Sequence, residues 1–202
     1  NQIANQRVID RLMAQGVEFV STHGVVLSPD CEVGADTLIY PGTIFKGQVT
    51  VGKNCEIGPN TMLINCEIGD GTVADNAKID ASVVGKGVKL GPFMQIRPGS
   101  KIADFAKIGN FTEIKNSTIG EKTSVAHLTY VGDSDVGDRV NFGCGTVTVN
   151  YDGINKFRTT IGNDCFIGCN TNLVSPVTVG DGAYTAAGST ITKDVPAGAL
   201  SI

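Results

Sequence analysis

From Leu27 onward the chain repeats an aliphatic residue every six positions, and few folds accept that phase. Leu27, Val33, Ile39, Phe45, Val51, Ile57 and Leu63 establish it, and five-residue steps follow through Ile68, Val73, Ile79 and Val84. Sixes resume at Leu90, Ile96, Ile102, Ile108 and Ile114, and the series continues through Ile119, Val125, Val131, Val136, Phe142 and Thr148 with two five-residue steps. After a break over Tyr151 to Thr160 the series returns at Ile161, Ile167, Leu173, Val179, Thr185 and Ile191. An α-helix needs a period of about 3.6, and a sandwich does not hold one phase for so long.

A second register runs two residues ahead of these anchors and holds small side chains: Cys31, Thr37, Thr43, Val49, Cys55 and Thr61, then Thr112, Ser117, Thr123, Thr129, Thr146, Cys165 and Ala183. Residues two apart on a strand share a face, so anchor and small residue both point inward. One aliphatic and one small residue per hexad fill a narrow triangular prism with three hexads per coil. The predicted architecture is all-β, a parallel β-helix of about nine coils over residues 17–202, each coil hydrogen-bonded to its neighbours. The break reads as a loop pushed out from one corner. Periodicity leaves the handedness open.

Asn1 to Gln15 reads as a short helix, with Ile3, Val8, Ile9, Leu12 and Met13 at helical spacings and Gly16 as its stop. It is too short to stand alone in water, so it needs a neighbouring domain, a neighbouring subunit or the end of the prism. Aromatics make up only 6% of the chain, Trp is absent and Gly numbers 26, which suits many short strands joined by tight corners. A net charge of −4 argues against a nucleic-acid partner. No run is long and apolar enough to span a membrane, no leader is visible, and six cysteines without a CxxC pair fit a reduced, cytoplasmic protein. The start at Asn1 without Met suggests a piece of a longer chain.

The stretch from Val125 to Tyr151 carries chemistry where the rest is bland. Cys31, Cys55, Cys66 and Cys165 occupy inward slots, whereas His127, Cys144, Asn150, Cys169 and Ala187 fall two residues after an anchor, outside the prism. Counting three hexads per coil stacks His127 with Cys144, and Asn150 with Cys169 and Ala187. His127 is a candidate general base, because imidazole titrates near neutral pH; His23 reads as an ordinary surface residue. Arg97 and Lys115 each follow an anchor one coil apart, so two stacked cations would repel unless an anion such as phosphate sat between them, and Lys156 in the loop could reach it. A cysteine nucleophile paired with His127 is also conceivable, but no orienting acid is evident.

The segments HLTYVGD, VNFGCGT, VNYDGINKF and VSPVTVGDGAYTAAGS, set in this hexapeptide repeat, resemble the acetyltransferase domain of the bifunctional N-acetylglucosamine-1-phosphate uridyltransferase/glucosamine-1-phosphate N-acetyltransferase family. The resemblance spans essentially the whole chain. It implies a left-handed β-helix in a homotrimer with active sites between subunits. The initial helix, residues 1–16, would be the arm to a uridyltransferase domain that these residues do not contain. It implies acetyl transfer from acetyl-CoA to glucosamine 1-phosphate for UDP-N-acetylglucosamine synthesis, with no metal needed for that step. Position by position it makes His127 the general base. Arg97, Lys115, Tyr130, Asn141 and Lys156 become sugar-phosphate contacts, and Asn150 and Tyr151 lie near the reacting amine and thioester. Cys144, Cys169 and Ala187 line the acetyl-CoA channel. Cys169 stands where many members have Ser, and the chain stops at Ile202, short of a basic tail that helps hold coenzyme A. Other readings remain: another hexapeptide acyltransferase with a different acceptor, or a non-enzymatic scaffold. An ice-binding face would need outward Thr rows, whereas these Thr residues point inward.

Overall fold

Strands as short as Glu56–Ile57 cannot persist alone; each is held by parallel partners one coil below and one coil above. The computed structural model describes residues 2–202, and it is a left-handed parallel β-helix of hexapeptide repeats with one short helix at its start. One face is an eleven-stranded parallel sheet from Glu18–Phe19 to Leu200–Ser201. The other two faces form a single sixteen-stranded sheet, because the strands Ile44–Val51 and Met62–Ile68 run unbroken through a corner. The eleven coils exceed the nine expected. The outermost ones escape the hydrophobic phase: Leu200 at the far end is 64% exposed.

The inward register stacks as expected. Ile39, Ile57, Leu63, Ile79, Ile96, Ile108, Ile114, Val125 and Val131 are fully buried, and so are the small residues Thr37, Thr43, Thr61 and Thr123. One anchor is corrected: Ala74, not Val73, lies over Ile57 and points inward, so Val73 is displaced to the outer side of its strand. The inward threonines do more than fill space. Thr123 Oγ1 donates to the Gly137 carbonyl at 2.8 Å and accepts the Val140 N–H at 3.0 Å, so a buried hydroxyl is satisfied by joining neighbouring coils. Cys31, Cys55, Cys66 and Cys165 are buried in the same slot; burial pushes their thiols up, Cys66 to about 12.

The helix Gln2–Ala14 ends the prism rather than leaving it. Val8, Ile9 and Leu12 join the continuous core, while Ile3 and Met13 stay on the exposed side. Asn5 donates to the Val25 carbonyl and accepts from the Leu27 N–H, both at 2.8 Å, and Arg11 reaches the carbonyls of Pro29 and Cys31. An otherwise open sheet edge is thereby covered. Asn1, where the sequence reading started this helix, lies outside the described residues. Among the described residues, no helix is long and apolar enough to cross a membrane.

Candidate active site

Two corners of the prism carry the reactive side chains. At the first corner, which follows the eleven-stranded face, Asn110 is paired with His127. The Gly145 N–H then donates to the His127 carbonyl, Asn170 to that of Cys144, and Gly188 to that of Cys169. His127, Cys144, Cys169 and Ala187 therefore form one column on successive coils. This overturns the count that stacked Cys169 and Ala187 with Asn150. The loop after Asn150 replaces a normal corner, so twelve residues lie between Thr148 and Ile161, yet Ile161 still sits over Val136. The His127 side chain is exposed, and its imidazole makes no hydrogen bond among the described residues. It makes no hydrogen bond to either outward thiol, as a nucleophile–base pair would require.

The second corner is organised around Asp133, a residue the sequence reading passed over. Asp133 and Asn116 both adopt positive φ, 49° and 46°, a conformation that short polar side chains tolerate. Asp133 is 5% exposed. It accepts from Asn116 Nδ2 at 2.6 Å, from Asn150 Nδ2, and from Lys115 Nζ at 3.3 Å. Burial pushes this carboxyl up, but the donors Asn116, Asn150 and Lys115 outweigh it and hold the group below the usual range. A carboxylate only accepts, so Asn150 must turn its nitrogen inward, leaving Oδ1 as its remaining acceptor. The signal was available: Asp133 follows Val131 by two, the same outward phase as Asn150 after Thr148.

The cations at this corner are not bare. Arg97 lies one coil from Lys115 as expected, but its guanidinium pairs with Glu113 at 2.8 Å, and Lys115 pairs with Asp133. Repulsion between these two therefore does not by itself demand an anion. Lys156 restores the case. It sits against Lys115: the interaction of the two side chains raises the Lys115 ammonium and lowers that of Lys156, and the charges of Lys115 and Arg97 lower Lys156 further. Among the described residues no salt bridge reaches Lys156.

Its loop is a small hairpin. Asp152 Oδ1 caps the N–H groups of Ile154 and Asn155, Tyr151 bridges Lys156, and Phe157 N–H returns to the Asn150 carbonyl. Arg158 grips Asp135 with two hydrogen bonds of 2.9 and 2.6 Å, fixing the hairpin's base.

Tyr130 lies on the face between the corners and leans to the second one, its hydroxyl 3.5 Å from Asn150 Nδ2. Gly132 makes room for it, since a Cβ there would come within 2.3 Å of the Tyr130 hydroxyl. Asn141 does not join this group. It stacks on Ser124 in the middle of the eleven-stranded face, on the side of His127 and Cys144. Tyr151 is exposed, with its hydroxyl donating to the Gly153 carbonyl of its own loop at 2.6 Å.

The bacterial transferase hexapeptide (six repeats) family matches at residues 30–65 and 158–193. The bifunctional protein GlmU of Halalkalibacterium halodurans is 52% identical over 201 residues, covering 100% of this chain and 44% of that protein. The chain is a hexapeptide-repeat domain homologous to GlmU. The hexapeptide domain is also 50% identical over 200 residues to the bifunctional protein GlmU of Clostridium botulinum, again over 44% of its length. It thus spans less than half of the relatives it matches. Among solved structures, LpxA from Acinetobacter baumannii superposes with a TM-score of 0.55 at 17% identity, over 89% of the domain and 68% of that chain. The UDP-N-acetylglucosamine acyltransferase of Francisella novicida gives 0.50 at 17% identity, over 87% and 63%. At that identity these two speak for the fold alone.

Proposed function

We propose that the hexapeptide domain transfers the acetyl group of acetyl-CoA to the amine of glucosamine 1-phosphate. The observation that carries this reading is the second corner: Lys156 crowded against Lys115 beside Arg97, a positive cluster held by a rigid hairpin and backed by a fully engaged Asp133. A sugar phosphate arriving there would relieve the crowding of the two ammonium groups. Glucosamine 1-phosphate carries its amine on the carbon next to the phosphate-bearing one, so base and clamp must lie close together. Within one chain His127 and the Lys115 corner are separated by a whole face of the prism, the strand Tyr130–Gly132. Neighbouring copies would bring the first corner of one against the second corner of another, which favours a homotrimer with sites between subunits. Phe93, Phe111 and Leu128, each more than half exposed in a line along the first corner, supply apolar surface for that contact.

In this reading the amine, once deprotonated, attacks the thioester carbonyl while His127 takes the proton from nitrogen as the bond forms. Asn150 Oδ1, left free by its bond to Asp133, accepts an N–H of the amine and orients it. Tyr151 would meet the tetrahedral oxyanion after exchanging its bond to Gly153. Coenzyme A leaves as a thiolate, and the thioester's own activation makes a metal unnecessary. Ala187, Cys169 and Cys144, small side chains in line above His127, form a slot for the thin pantetheine arm. Asn141 contacts the sugar from the His127 side. The segment 1–16, with its helix Gln2–Ala14, would lead from a nucleotidyltransferase domain, with residues 17–202 as the acetylating body in the cytoplasm. A coenzyme A release assay tests the reading: acetyl-CoA with glucosamine 1-phosphate should turn over, and glucosamine without the phosphate should react far more slowly. Equal rates with both, or preference for an unrelated acceptor, would overturn it.

A further inference from the structure

We propose that Cys144 and Cys169 are a reversible dithiol–disulfide pair on the outside of the prism. Of the six cysteines, four are sealed in the core, and these two alone face outward. They also stack on each other. The parallel register Asn141↔Phe166 and Phe142↔Ile167 continues through the Gly143 N–H donating to the Ile167 carbonyl and Asn170 N–H donating to that of Cys144, both at 2.7 Å. Adjacent parallel strands lie about 4.8 Å apart, which puts the two Cα atoms within the roughly 4.4–6.8 Å that a disulfide spans. Both residues stand at the same position of the corner on successive coils, so their side chains leave the prism side by side. The sealed cysteines have no such neighbour: Cys66, for example, is paired with Val49.

The oxidant is a low-molecular-weight disulfide. The Cys169 thiolate, on the more exposed residue, attacks one of its sulfurs and releases one thiol, leaving a mixed disulfide. The Cys144 thiolate then attacks Cys169 Sγ and expels the second thiol. Two cysteine thiols are oxidised, the small disulfide is reduced to two thiols, and the two cysteine protons end on them. The bond would close one complete coil into a covalent ring, the coil that carries Asn150, Tyr151 and Lys156. The effect on catalysis rests on the proposed acetyl-CoA slot; the pairing itself does not.

Oxidised glutathione added to the native domain tests the pair by intact mass. The expected product has lost two hydrogens, retains no glutathione, and yields on digestion a cross-linked peptide joining Cys144 to Cys169. Cys144→Ser and Cys169→Ser should each instead retain one glutathione. Wild-type protein that stays reduced, or that carries one or two glutathiones without the cross-link, overturns the proposal. The cross-linked form should lose acetyl transfer and regain it with dithiothreitol. A cross-linked form that remains fully active removes the slot reading and leaves the pair intact.

Discussion

The Asn150 side-chain amide donates to the buried carboxylate of Asp133, the same carboxylate that holds Lys115. A candidate substrate-orienting amide and a candidate phosphate-binding ammonium are thus tied to one residue that touches neither proposed reactant. Asp133→Asn keeps the shape and removes the charge, so Lys115 loses its ion pair. We expect a loss of about 1–3 kcal/mol in denaturant unfolding, and a fall in acetyl transfer larger than that loss of folded protein explains. Full activity in the folded fraction would remove Asp133 from its positioning role.

The depressed Asp133 pKa has a definite sign. Its contribution to stability is present above the ordinary carboxylate value of 3.8 and is lost as pH falls through the lower folded value. Thermal midpoints of wild type should drop below that pH more steeply than those of Asp133→Asn. Asp135 and Asp164, lowered by Arg158 and Arg139, lose their contributions over the same acidic range in both proteins.

Lys115→Ala confounds two effects, because it also strands a buried carboxylate. Lys156→Ala is the cleaner probe of the phosphate clamp. It should raise the Michaelis constant for glucosamine 1-phosphate about tenfold and leave the thermal midpoint nearly unchanged. Because Lys115 lowers the Lys156 ammonium, binding of a phosphate should draw a proton onto Lys156 at alkaline pH. Calorimetry in buffers of different ionisation enthalpy reads that uptake directly.

His127→Ala should reduce turnover by about 10²–10⁴-fold with both substrates saturating. The imidazole is exposed and makes no hydrogen bond among the described residues, so the thermal midpoint should hardly move. A near-normal rate would remove His127 from the role of base.

Gly132→Ala places a methyl where the Tyr130 hydroxyl lies, 2.3 Å from the new Cβ. The ring end can swing away, so the fold survives while Tyr130 leaves the second corner. We expect weaker acceptor binding with little change in unfolding midpoint, measured side by side with Tyr130→Phe.

Much of this was legible in the order of residues. The side of the strand on which a residue lies follows from a two-residue alternation, so His127 outward and Cys165 inward could be read directly. Val73 misled because a β-branched residue looks like an anchor, whereas the phase from Ile57 needs Ala74 there. Asp133 was missed although its phase marked it, because a short acid at a corner looks like ordinary turn chemistry until its partners are known.

An inward or outward address is a local property of the pleat, and the hexapeptide order of this chain determined it for nearly every residue from Leu27 to Ile191. Which outward residues share a column is not local. Coils stack by hydrogen bonds that ignore any residues looped out between them, so only the tertiary structure moved Cys169 and Ala187 over Cys144 and His127. The same physics gathered Lys115, Lys156, Asn150 and Asp133 at one corner: backbone registration fixes the heights of the coils, and a buried charge then selects which side chains turn toward it.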